Sequence, residues 1–256
     1  MNISGNTILI TGGTSGIGRA LAEAFHKQGN QVIVTGRRRN LLEQVTAANP
    51  GMKAAVLDVQ DSNALARFAE SAPRDYPGLN VLINNAGIMV PENLHQPDDS
   101  TIASTIETNL LAPIRLTLAL LPALQKQPRA AVINVSSGLA FVPMAITPTY
   151  CATKAAIHSW TQSLRHQLKA APVQVVELIP PYVQTDLMGE HQRTDPRAMP
   201  LRDFIDEVME ILRTQPDAQE ICVKRVYPLR FAAEQGSYDQ VFAGLNGDAA
   251  RPRSSH

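Results

Sequence analysis

Near the N-terminus a short apolar run, Thr7 to Ile10, passes directly into Thr11-Gly12-Gly13-Thr14-Ser15-Gly16-Ile17-Gly18, and helix formers follow from Arg19 to Gln28. Strand, glycine turn and helix in that order make a β-to-α unit. Glycines at 12, 16 and 18 allow a tight turn and a close backbone approach, while the free N–H groups and dipole of the new helix attract an anion such as a pyrophosphate. The spacing is GxxxGxG rather than the GxGxxG of many dinucleotide sites, so the mechanism transfers but the pattern does not. A glycine-rich turn with no ligand is the competing reading of these residues.

The same unit recurs along the chain. Apolar runs at 31–35, 54–57, 81–83, 130–133, 173–179 and 220–223 alternate with helical stretches at 62–72, 101–125, 150–168 and 201–213. Unbroken apolar strands in such alternation imply a parallel sheet covered on both faces. The expected fold class is therefore α/β, a Rossmann-type doubly wound parallel sheet in three α/β/α layers. A 256-residue chain that is 44% hydrophobic has material for one core, so a single domain over 1–245 is expected, with 246–256 as a frayed tail. With 23 basic against 23 acidic residues, no broad attraction to nucleic acid or an anionic membrane is expected. The start, Met1-Asn2-Ile3-Ser4, has no basic segment, and Ile8 to Ile10 is too short for a signal or a span, which predicts a cytoplasmic protein. Cys151 and Cys222 have no CxxC partner; both read as free thiols, and no metal site is expected.

In an open parallel sheet, ligands bind beyond the carboxyl ends of the strands. The second strand ends in Gly36-Arg37-Arg38-Arg39. An acidic residue at position 36 would accept hydrogen bonds from a ribose and repel a 2′-phosphate, whereas Arg37 and Arg38 pair with one. NADP(H) is therefore preferred and NAD(H) possible; a solvated basic helix start is the alternative. Asp58 ends the third strand, as an acceptor for an adenine amino group or as a loop cap. The fourth closes in Asn84-Asn85-Ala86-Gly87, small and amide-bearing.

The fifth strand leads to Ser136-Ser137, and the helix after it carries Tyr150 and Lys154 four residues apart, on one face. A neighbouring cation favours phenolate and so lowers a tyrosine pKa, making the phenol a usable acid-base group, with Ser137 placed to hold a carbonyl oxygen. Asn109, amid Ile106, Leu110 and Leu111, is unfavourable inside a helix unless its amide is used; Pro113 offers a plainer kink. Cys151 lacks an evident base and reads as buried rather than nucleophilic. The segment 189–200, low in apolar residues, has the profile of a mobile lid or of mere surface. Ile88, Met89, Leu139, Phe141, Met144, Tyr182, Leu187 and Met188 are candidate substrate walls, pointing to a small or medium apolar carbonyl or alcohol.

Thr11-Gly-x-x-x-Gly16-Ile-Gly18, Asn84-Asn-Ala-Gly87, Asn109, Ser137 and Tyr150-x-x-x-Lys154, in this order, resemble the short-chain dehydrogenase/reductase family of the classical type over about residues 5–225. The nearest subgroup resembles the DltE-like oxidoreductases. The resemblance implies an oxidoreductase with catalytic Ser137, Tyr150, Lys154 and Asn109. Tyr150 is the acid-base, Lys154 lowers its pKa and binds the nicotinamide ribose, and Asn109 holds a water that relays protons. It further implies cofactor contacts at Gly12, Thr14, Ser15, Gly16, Ile17, Gly18, Arg37, Arg38, Asp58, Val59, Asn85, Ala86, Gly87, Pro180, Val183 and Thr185, besides Tyr150 and Lys154. A homodimer or homotetramer is implied as well. Pro181 stands where the family usually has glycine, which affects the backbone beside the nicotinamide. A non-catalytic NADP(H)-binding sensor is the alternative from another class.

Overall fold

The computed structural model describes residues 1–249. Among them, seven strands form one parallel sheet: β1 (Thr7–Thr11), β2 (Gln31–Gly36), β3 (Lys53–Val56), β4 (Leu79–Asn84), β5 (Ala130–Val135), β6 (Val173–Ile179) and β7 (Glu220–Cys222). Their order is β3-β2-β1-β4-β5-β6-β7, so the chain reverses direction across the sheet between β1 and β4. A crevice opens at such a switch point because the loops leaving the two strands diverge.

Alternation along the strands fills two cores. Ile8 and Ile10 of β1 face one side with Phe25 of α1 (Gly16–Lys27), Val45 of α2 (Arg39–Ala48) and Phe204 of α7 (Leu201–Thr214). Leu9 faces the other with Leu65 of α3 (Ser62–Asp75), Leu116 and Leu120 of α5 (Ala112–Leu124), and Leu164 of α6 (Pro148–Gln167). Each such side chain, fully removed from water, contributes about 1.5–3 kcal/mol.

A polar row crosses the second of these faces. Asn84, Asn134, Glu177 and Glu220 are neighbours in register on β4, β5, β6 and β7. Asn84 Nδ2 donates to Asn134 Oδ1 (2.8 Å) and to Thr117 Oγ1 (2.9 Å), and Asn134 Nδ2 donates to Thr161 Oγ1 (2.9 Å). Glu177 Oε2 pairs with His158 Nδ1 at 2.8 Å.

Three sequence expectations need correction. The single long helix over 101–125 is α4 (Asp99–Ile106), a π-helical turn (Glu107–Leu111) and α5. Pro113 has no N–H to donate to the carbonyl four residues back, that of Asn109, and the ladder widens there. The segment 189–200 is not plain surface: Glu190–Thr194 forms a 3-10 turn, Val183 bridges to Met199, and Gln192, Ala198 and Met199 are buried. Residue 246 does not begin a frayed tail, because Asn246 lies in α9 (Tyr238–Ala249), accepts from Ala145 N (2.6 Å) and donates to Pro143 O (3.1 Å). The rest of that tail, 250–256, lies outside the described residues.

Candidate active site

The glycine loop between β1 and α1 is fixed from outside. Gly13 N donates to Thr35 O (3.0 Å), Asn85 Nδ2 donates to Thr11 O (2.9 Å) and Gly12 O (3.2 Å), and Thr11 Oγ1 accepts from Asn85 N and Ala86 N. Gly12 has φ +68°, and a Cβ there would lie 2.9 Å from Ala86 Cα. At Gly18 a Cβ would overlap Asn85 Nδ2 and the Gly12 carbonyl. Gly18→Ala is accordingly expected to cost about 1–3 kcal/mol by overpacking and to weaken dinucleotide binding, checked by urea unfolding and by fluorescence titration with NADPH. Unchanged affinity would mean that the loop is not the cradle.

Helix α1 begins open to an anion: its N-cap Ser15 makes no side-chain cap, and its first turn has no acid. Arg38 lies over this loop, its Nη2 donating to Thr14 Oγ1 and Ser15 Oγ, both at 3.3 Å. These groups share one cavity of about 520 Å³, and every residue named above for the cofactor lines it. Asp58 lines it, and its Oδ1 accepts from Gln60 N (3.0 Å), which is the loop-cap reading of this residue. The donor set fits a phosphorylated dinucleotide: a glycine cradle, two arginines, a carboxylate on the third strand and a lysine further in.

Ser137, Tyr150 and Lys154 line the same cavity. Ser137 caps a 3-10 turn (Gly138–Ala140), its Oγ accepting from Leu139 N (3.1 Å). Lys154 is buried, donates to Val135 O at 2.8 Å, and holds its Nζ 5.5 Å from the centre of the Tyr150 ring. Burial pushes the Lys154 ammonium down to about 8, with Glu177 opposing. The Tyr150 phenol departs from the sequence expectation: burial pushes it above the usual tyrosine range, Ser137 works against that shift, and Cys151 adds to it. Desolvation sets the direction because Tyr150 is buried with Met89 and Cys151, and Leu139, Met144 and Met188 pack against that cluster.

Asn109 does not line the cavity. Its amide clasps the Ile88 backbone, Oδ1 accepting from Ile88 N (2.9 Å) and Nδ2 donating to Ile88 O (2.8 Å), and reaches Thr153 Oγ1 at 3.3 Å. A Cβ on Gly87 would sit 3.4 Å from Asn109 Oδ1 and 3.8 Å from Lys154 Nζ, so both groups flank this glycine.

Of the expected substrate walls, Ile88, Met89 and Leu187 line the cavity, and Leu139, Met144 and Met188 pack around Tyr150. Tyr182 directs its hydroxyl to Asp195 Oδ2 (3.2 Å). Phe141 packs edge to face with His158, centroids 4.7 Å apart, under the Arg230 guanidinium. Cys151 is a buried free thiol raised by burial, as expected of a packing residue.

Two site residues escape a reading of the sequence. Gln192 donates to Val183 O (2.7 Å) and Thr185 Oγ1 (3.1 Å) and accepts from Met188 N (2.9 Å), tying the loop to the cavity. Glu92 caps α6, accepting from Thr149 N (2.9 Å) and Thr149 Oγ1 (2.7 Å). Nothing local marks a glutamate 57 residues away as a cap.

The profile of the family described as short chain dehydrogenase matches residues 6–196. The oxidoreductase DltE of Bacillus subtilis is 38% identical over 251 residues, covering 96% of this chain and 98% of the relative. An oxidoreductase of Staphylococcus aureus is 30% identical, covering 85% and 96% respectively. A short-chain dehydrogenase from Sphingobium yanoikuyae, solved in complex with NADPH, superposes with a TM-score of 0.79 at 24% identity over 98% of both chains.

Proposed function

The chain belongs to the short-chain dehydrogenase family, and from that premise we propose that it is an NADP(H)-dependent oxidoreductase. It interconverts a small or medium apolar carbonyl compound and its alcohol, with Tyr150 as general acid and base. The observation that carries this reading is that Ser137, Tyr150 and Lys154 share one cavity with the glycine loop and Arg38. NADPH, when bound, supplies the hydride. Gly12, Gly16 and Gly18 admit its pyrophosphate, Arg37 and Arg38 meet its 2′-phosphate, and Lys154 holds the nicotinamide ribose. The raised Tyr150 pKa keeps the phenol protonated at neutral pH, the state a proton donor needs for reduction. Ser137 steadies the substrate oxygen, and the methionine-rich surround of Tyr150 favours apolar substituents. Ile88 N takes one lone pair of Asn109 Oδ1, and the other is available to a water that passes protons between Lys154 and solvent.

The test is NADPH oxidation over a panel of aldehydes, ketones, diketones and sugars, with turnover expected on apolar aldehydes or ketones. Tight NADPH binding without turnover on any of them would favour a non-catalytic sensor.

A further inference from the structure

Glu177 is fully buried in β6 on the face that α6 covers. One of its oxygens meets His158 Nδ1 at 2.8 Å, and the other, Oε1, has no hydrogen-bond partner among the described residues. His158 follows Lys154 by one helical turn on α6, so ammonium and imidazole project from the same face. Lys154 is anchored on Val135 O, one residue beyond Asn134, the β5 residue in register with Glu177. Neighbouring strands lie about 4.8 Å apart, so Glu177 stands on the strand beside the lysine's anchor, and its charge is felt there. On the far side Gln162 Nε2 approaches His158 Nε2 at 3.2 Å, and this network assigns the imidazole as donor to Glu177 and acceptor from Gln162.

We infer that Glu177, oriented by His158, is a positioning residue for the proposed reaction: its carboxylate holds the buried Lys154 in the ammonium form that binds cofactor and serves Tyr150. This rests on the function proposed above. A buried ammonium needs a compensating charge, supplied here by Glu177 of β6, and the carboxylate needs an oriented donor, supplied by His158 of α6. The charge of Glu177 opposes the effect of burial at Lys154. The titratable and charged groups facing Glu177 are Lys154, His158 and Arg165 from α6 and Glu220 and Cys222 from β7, with Arg230 of α8 (Tyr227–Arg230) beyond Glu220. Arg165 is engaged elsewhere, donating to Val175 O and Gln219 O. His158, Glu177 and Glu220 bring ligand atoms within 4.8 Å of one another, but Arg230 takes both oxygens of Glu220, at 2.8 and 3.2 Å. The cluster is therefore a charge network answered by a guanidinium, not an open cation site.

The experiment follows NADPH affinity, by fluorescence, and kcat for carbonyl reduction, both against pH. In Glu177→Gln the pH above which both fall is expected to move down by on the order of one unit, with activity recovered at lower pH. Glu177→Asp keeps the charge and should return that limb most of the way. His158→Gln keeps the carboxylate and offers it a donor, so its limb should stay or move up. A Glu177→Gln limb that matches the parent, or a downward shift shared by His158→Gln, would overturn the inference. If Glu177→Gln does not fold, the aspartate variant decides: a limb displaced by a full unit despite the retained charge counts against it. Tyr150→Phe run in parallel separates the failures, since turnover surviving there removes the proposed function itself.

Discussion

Tyr150→Phe is expected to lower kcat for carbonyl reduction by about 10²- to 10⁴-fold, the usual contribution of a positioned general acid. The phenyl ring fills the same space among Met89, Cys151, Leu139 and Met144, so fold and NADPH affinity should persist. That split, kcat lost and binding kept, marks an interaction made in the transition state. The pH dependence has a definite sign. Oxidation of an alcohol needs the phenolate, and burial raises the Tyr150 pKa, so oxidation should climb with pH while reduction does not. Lys154→Met removes the ammonium that lies 5.5 Å from the Tyr150 ring and should push the oxidation limb higher still, besides weakening cofactor binding. Steady-state kinetics in both directions from pH 6 to 10 measure this; turnover in Tyr150→Phe equal to the parent would remove Tyr150 from the mechanism.

The second large effect is cofactor choice. A charge-assisted hydrogen bond is worth about 1.5–3 kcal/mol, so Arg38 over the glycine loop should give NADPH a preference of roughly tenfold to a hundredfold. Arg37→Ile with Arg38→Met should abolish it. Reversal needs a carboxylate at position 36, and there the structure adds a condition. A Cβ on Gly36 would lie 2.7 Å from Thr14 Cγ2, so Gly36→Asp should succeed only with Thr14→Ser, which removes that methyl group. The measurement is kcat/KM with NADPH and NADH at two salt concentrations, because exposed pairs are screened. A parent enzyme that uses NADH equally well would show Arg37 and Arg38 to be a solvated helix start.

What the sequence disclosed and what it hid follow from range. Each strand and the glycine turn are written in contiguous residues, and Tyr150 and Lys154 announce themselves by a four-residue interval, so the sheet and this buried pair were legible. Asn109 was legible as an anomaly, an amide amid apolar neighbours; its partner Ile88 was not, because the clasp joins segments 21 residues apart. Segment 189–200 looked unanchored because it is held by the backbone pairing of Met199 with Tyr182 and Gln184 and by the buried side chain of Gln192, and neither carries a periodic signal. Phe141 was misplaced for a related reason: it lies beside wall residues in the chain, but its ring is drawn off by His158 and Arg230. Tyr150 shows the limit most clearly. The charge beside it can be read from the spacing, whereas the depth of burial that raises the phenol is a property of the assembled core.

The polar row through Asn84, Asn134, Glu177 and Glu220 also bears on how the sheet assembles. Parallel strands of valine, isoleucine and leucine are nearly interchangeable under translation, since apolar contacts are non-directional and a shifted strand buries almost as much surface. A slip of one residue would carry these amides and carboxylates to the opposite face; a slip of two would part Asn84 from Asn134 and draw Asn134 and Glu177 away from Thr161 and His158. Either error strands several buried polar groups, at about 1–3 kcal/mol each. The row thus works as an alignment mark: the amide pair of Asn84 and Asn134 sets β4 against β5, and Asn134 and Glu177 set where α6 seats on β5 and β6 through Thr161 and His158.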